Sequence, residues 1–230
     1  MRLAGIDGCP SGWVAIVAEA DDFASARLVH VTDLADFFDR QCIDLAVIDI
    51  PIGFVDGPEP RDVEAAMRAM LKGKTSSVFS TPCRLALAEA VYFDASYVNR
   101  QELQRGLSKQ SFMLFPKMRE VDGVVRSLGQ GRLREGHPEV SFAVMNGGAA
   151  VLSRKREPAG RKDRIELLQA RGFAAQALVA GAPRGLMAAD DVLDAAALLW
   201  SAGRVSRREH ITLPPVPSRD AVGLEMSVIA

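Results

Sequence analysis

Two apolar runs that each end in an aspartate place the tightest limits on how this chain can fold. The first, residues 2–7, closes on Asp7 and passes at once into the turn formers Gly8, Pro10 and Ser11. The second, residues 43–50, carries Asp49 near its end and stops at Pro51. Such runs, apolar almost throughout, read as strands covered on both faces. A third acidic pair, Asp191 and Asp194, heads an apolar helix expected over residues 190–205. Its i, i+3 spacing puts both side chains on one face. With the two strands as neighbours, three carboxylate positions meet at one edge of a sheet. Carboxylates forced together repel unless a divalent cation lies between them, and oxygen ligands suit Mg²⁺ or Mn²⁺.

The remaining pattern is that of an α/β chain. Residues 2–7 and 12–19 read as strands joined by a tight turn, and residues 26–32 add a third β-rich run. A short helix over 34–40 leads into the strand at 43–50. Helical spacing then covers 61–72, 85–98, 102–107 and 110–128, the last around Pro116. A mostly helical stretch this long exceeds an ordinary connection and reads as an insertion at about 56–130. A last strand is expected over 134–140, then helices at 161–178 and 190–205. The tail from Pro214 reads as irregular. The expectation is one domain over 1–210 with its helical insertion, followed by an irregular tail over 211–230. Three strands in a meander, with the fourth returning beside the first, turn the carboxyl ends of strands one and four toward one crevice, where open α/β sheets place ligands.

Composition narrows the function classes. With 230 residues, 48% apolar and 25% charged, the chain has the make-up of an ordinary globular domain. A net charge of -1 means that any nucleic-acid contact rests on a local basic patch. Three cysteines, Cys9, Cys42 and Cys83, form no Cys-x-x-Cys pair, so neither a zinc site nor a disulfide framework is indicated. Asp7 interrupts any apolar leader, and Pro183, Arg184 and the acidic cluster beyond Ala189 break the most apolar stretch, so no membrane contact and a cytoplasmic location are expected. Neither a Gly-x-Gly-x-x-Gly nor a Walker-type phosphate loop occurs.

Several motifs together resemble a known family. These are Gly5-Ile-Asp7-Gly through Trp13, Asp49-Ile-Pro51-Ile-Gly53, Ser76-Ser-Val-Phe79, Gly106-Leu-Ser-Lys-Gln110, Pro116 through Asp122, His137-Pro-Glu139 through Phe142, and Asp191-Val-Leu-Asp194-Ala. In this order, from residue 3 to about 205, they are similar to a family of unknown function described as predicted ribonuclease H-like nucleases. The resemblance implies a ribonuclease H-like mixed sheet flanked by helices. The Asp191–Asp194 segment also resembles the end of Holliday-junction resolvases, whose last helix brings an Asp pair to the metals. By that analogy Asp7 would bridge two ions, Asp49 would hold one, and Asp191 or Asp194 the other. Resolvase-like proteins are often dimers, which makes a homodimer an analogy-level expectation.

Each candidate has a plain structural reading beside the catalytic one. Asp7 and Asp49 can cap turns, and Asp191 and Asp194 can serve the helix N-terminus. Glu139, near the end of the expected strand, is a candidate fourth carboxylate or a paired structural one. His137 reads more readily as structural than as a general base, and a Cys9 nucleophile is disfavoured. Lys109, Lys155, Arg161 and Arg164 are candidates for gripping phosphates, or for a solvated face. Lys117, Arg119, Arg61, Arg68 and Arg84 carry the same two readings. The function expected is a divalent-metal-dependent phosphodiester hydrolase acting on nucleic acid. The rivals are a phosphoryl transferase, because Ile6-Asp7-Gly8 also resembles the first phosphate loop of sugar-kinase and actin-like folds, and a non-catalytic nucleic-acid-binding protein.

Overall fold

A computed structural model describes residues 1–20, 22–183 and 185–230. Its centre is a five-stranded sheet ordered β3-β2-β1-β4-β5. The strands are β1 (Arg2–Cys9), β2 (Gly12–Glu19), β3 (Asp22–Val31), β4 (Leu45–Ile48) and β5 (Leu133–Glu135). The first three form an antiparallel meander. Helix α1 (Leu34–Arg40) then returns the chain to the far side of β1, where β4 and β5 add in parallel. β1 and β2 are buried on both faces because helices cover both sides of the sheet. Among the described residues no helix is long and apolar enough to cross a membrane.

One face packs against α10 (Ala189–Ser206), buried without interruption from Val192 to Gly203. Leu3, Val14, Ile16, Leu45 and Val47 meet it there. Each leucine or valine so buried contributes about 1.5–3 kcal/mol relative to exposure. The opposite face receives Leu34, Phe37 and Phe38 of α1, with Phe115, Met118, Val121 and Val125 from α6 (Phe115–Leu128).

The approach of α10 to β1 is very close. A Cβ on Gly5 would lie 2.0 Å from both the Ala195 carbonyl oxygen and the Leu199 nitrogen. Gly5 is therefore a matter of space: the helix backbone rests where any side chain would project.

Between β4 and β5 run α2 (Asp62–Met70), α3 (Arg84–Leu87), α4 (Tyr92–Leu103), α5 (Lys109–Met113) and α6. The helix expected over 85–98 is split between α3 and α4. The one expected over 102–107 is largely loop, because α4 stops at Gln104, whose φ of 54° is left-handed. The strand expected over 134–140 ends at Glu135. Pro138 then opens α7 (Pro138–Met145), its fixed φ and missing N–H both suiting a first helical turn. Helices α8 (Pro158–Gln169) and α9 (Ala175–Ala180) divide the expected 161–178 helix on either side of Gly172.

The tail is not irregular. β6 (Thr212–Arg219) and β7 (Glu225–Ile229) form an antiparallel pair, and Ile229 bridges to Gly136 beyond β5. The prolines that suggested an irregular tail lie along β6 where its register is interrupted, a place where a missing N–H is tolerated. Asp220 joins this hairpin to the helical segment. Its carboxylate accepts from the N–H groups of Phe54, Val222 and Leu224 and from the Arg84 guanidinium at 2.5 Å.

Gly5→Ala is expected to cost about 3 kcal/mol or more in urea denaturation, because backbone and not a flexible side chain must yield. A loss below about 1 kcal/mol would contradict the α10–β1 contact. Asp220→Ala is expected to cost roughly 2–5 kcal/mol by the same measurement, since it strands three amides and leaves Arg84 with Asp122 alone; a neutral result would show that the hairpin is not held there.

Candidate active site

The parallel register of β1 and β4 places the first two aspartates side by side. Ile6 pairs with Ile48, and the Asp49 N–H donates to the Ile6 carbonyl at 3.0 Å. Asp7 and Asp49 therefore follow at matching positions. Strand alternation sends both side chains to the face of Gly5 and Val47, which is the face α10 covers. On α10, Asp194 is the residue before Ala195, whose carbonyl lies against Gly5. Thus the tight contact at Gly5 also brings the third carboxylate to the strand ends.

These three groups feel one another. Burial pushes the Asp7 carboxyl well above its ordinary value, and the charges of Asp49 and Asp194 push it further. Burial also raises Asp49, which His137 and Lys155 pull back. Asp194 is raised to about 6 by burial, against the pull of Lys155. Hydrogen bonds leave much of the cluster unmet. Asp7 Oδ1 accepts from the Gly8 N–H at 2.7 Å. Asp194 Oδ2 accepts from the Lys155 ammonium at 2.5 Å, while its buried Oδ1 has no partner.

The other candidates fall into place around this centre. Asp191 turns back on its own helix and accepts from the Ala188 N–H at 2.8 Å, closing the N-terminus of α10. Glu139 stands in the first turn of α7, not on a strand. Arg164 grips both its oxygens at 2.7 and 2.9 Å, and Lys74 adds a third contact at 3.0 Å. Arg164, expected at a phosphate, is instead fully buried beneath Phe142 and belongs to Glu139. Lys155, also expected at a phosphate, lies among the carboxylates. Lys109 and Arg161 are exposed at the starts of α5 and α8.

Most basic groups of the helical segment are already engaged within the protein. Arg61 pairs with Glu135, Arg84 with Asp122 and Asp220, Arg68 with the Val78 carbonyl, and Arg119 with the Leu87 and Glu89 carbonyls. Lys117 lies 4.2 Å above the Trp13 ring and donates to the Gly12 carbonyl. Cys9 is buried beside Ser11.

A cavity of about 270 Å³ opens beside the cluster, lined by Asp49, His137, Glu139, Lys155 and Asp194, with Ser76, Ser77, Phe79 and Gln110 on its other side. His137 Nε2 lies 3.4 Å from the Ser77 carbonyl, and its buried Nδ1 has no partner. Lys74 and this Ser76–Phe79 wall were not singled out as site residues from the sequence. No spacing rule links them to the strand-end aspartates, which lie 25 or more positions earlier in the chain; only the packing of α2 and the turn after it brings them near.

Among the described residues no three His, Cys, Asp or Glu side chains are arranged to hold a metal ion as they stand. The donor set nevertheless suits a hard divalent cation: it is all carboxylate, crowded, and includes the buried, unpartnered Asp194 Oδ1. A family model described as a protein of unknown function (DUF429) matches residues 5–219. No curated protein and no solved structure matches the chain.

The raised Asp194 carboxyl has a consequence for stability. It binds its proton more tightly folded than unfolded, so its contribution is fully present below its ordinary 3.8 and is lost as pH rises through about 6. Asp194→Asn lacks that loss. Between pH 4 and 7 in urea denaturation the unsubstituted protein is expected to lose roughly 1–3 kcal/mol relative to the variant. Parallel pH profiles would show that Asp194 titrates normally.

Proposed function

This chain belongs to the DUF429 family, and we propose that it is a divalent-metal-dependent phosphodiester hydrolase with a ribonuclease H-like core, acting on nucleic acid. The observation that carries the reading is the meeting of Asp7, Asp49 and Asp194 at the carboxyl ends of β1 and β4 under α10. A three-strand meander followed by two parallel strands beside β1 supports the core assignment.

In this reading Asp7, Asp49 and Asp194 would hold Mg²⁺ or Mn²⁺. The bound ion would supply an activated water and offset charge on the phosphate. The protein's own groups do the rest. Glu139, held by Arg164 and Lys74, is a structural brace that fixes the start of α7 beside the cluster. His137 lines the same cavity as Asp49 and would be a candidate to relay a proton there. The adjoining cavity, about 270 Å³, lies just below the ~300 Å³ at which ordinary ligand sites begin.

The test is hydrolysis of single-stranded and duplex DNA and RNA oligonucleotides in Mn²⁺, comparing the unsubstituted protein with Asp7→Asn. Metal-dependent cleavage that falls roughly 100-fold or more in a folded variant is expected. Binding of oligonucleotides with equal affinity by both proteins, and cleavage by neither, would replace the hydrolase reading with that of a binding protein.

A further inference from the structure

The position of Lys155 asks for an explanation beyond phosphate contact. Its ammonium is 2.5 Å from Asp194 Oδ2 and 3.9 Å from Asp190 Oδ2. Its charge also acts on Asp7 and Asp49, and on Asp191. Every other buried carboxylate nearby is matched. Glu139 has Arg164 and Lys74, and Glu135 has Arg61. Asp7, Asp49 and Asp194 share one ammonium, with His137 beside Asp49, and one buried oxygen of Asp194 is left without any partner. A buried carboxylate short of counter-charge is relieved by a proton or by a cation, and among the described residues Lys155 is the one cation in contact with Asp194.

We propose that Lys155 is the resident counter-ion of the carboxylate cluster, and that a divalent cation enters by displacing its ammonium into the adjoining cavity, where it meets the phosphate of the substrate. The inference rests on the hydrolase reading above and adds to it an order of events at the same site. Lys155 is on the irregular stretch between α7 and α8, and its side chain is 39% exposed, so movement outward disturbs no helix. Its long stem and compact charge suit such a swing better than the planar fork of an arginine. The cavity it would enter already counts Lys155 in its lining and carries Ser76, Ser77 and Gln110 as further polar groups. Arg154 and Arg156 on either side are exposed and paired with Glu157 and Asp190, so neither neighbour replaces it among the three carboxylates. The device makes ion binding weak in the free protein and tighter once a phosphate is present to receive the displaced ammonium.

Calorimetric titration with Mn²⁺ tests this directly, using the unsubstituted protein, Lys155→Met and the double variant Lys155→Met/Asp7→Asn. Lys155→Met is expected to bind Mn²⁺ at least tenfold more tightly, and the double variant to lose that binding. Thermal denaturation adds a second readout: Lys155→Met melts lower in chelator and regains more from Mn²⁺ than the unsubstituted protein does. Equal or weaker binding by Lys155→Met, with binding still abolished by Asp7→Asn, would overturn the displacement while leaving the metal site intact. Absence of binding in every protein would overturn both readings. Should Lys155→Met fail to fold, the same question is answered in the unsubstituted protein by amine-reactive labelling and mass spectrometry: Mg²⁺ is expected to speed modification of Lys155, and an unchanged rate at saturating Mg²⁺ refutes the proposal.

Discussion

The contact between α10 and β1 at Gly5 organises the molecule. A glycine with no room for a Cβ lets a helix backbone lie directly on a strand, and the strand is the middle one of five. This approach seals the apolar face built by Leu3, Val14, Ile16, Leu45 and Val47. It also decides where the third carboxylate stands, because Asp194 is one residue from the point of contact. Two strand-end aspartates in register and one helix aspartate at the crossing are then geometric consequences of a single packing event.

Charge divides the interior into two kinds of cluster. In the first kind, carboxylates and guanidinium groups answer each other: Arg61 with Glu135 and Glu64, Arg84 with Asp122 and Asp220, Arg164 with Glu139. These tie the helical segment and the final hairpin to the sheet, joining parts of the chain far apart in sequence. In the second kind, at the ends of β1 and β4, carboxylates outnumber their counter-charge, and burial together with mutual repulsion raises their proton affinity. A fold that satisfies its buried ions elsewhere and leaves this group short of counter-charge gives the physical ground for proposing it as a site.

The sheet was legible because its signals are local. Apolar runs bounded by turn residues marked β1, β2 and β4, and the helix over 34–40 matches α1. Boundaries failed where one residue overrode a periodic pattern. Pro138 began a helix in what reads as a strand, and Gln104 ended α4 early by taking a left-handed conformation. The final hairpin was hidden by its prolines, whose place in a strand depends on which amides the neighbouring strand leaves unpaired.

Asp7, Asp49 and Asp194 were readable as candidates from their places in the sequence, because two strand-end acids and an acid at the head of an apolar helix can meet at one sheet edge. What the sequence by itself determined was this inventory and the strand–helix order that carries it, for both follow from contacts between near neighbours. Only the tertiary structure decided which acids stand together and which cation attends them. Asp191 and Asp194 are alike in sequence, yet one closes its own helix and the other faces the strands. Arg164 and Lys155 belong to one basic stretch, yet one is buried against Glu139 and the other lies among the aspartates. Electrostatic partnership falls off with distance in space and not along the chain, so it is settled only when the elements have packed.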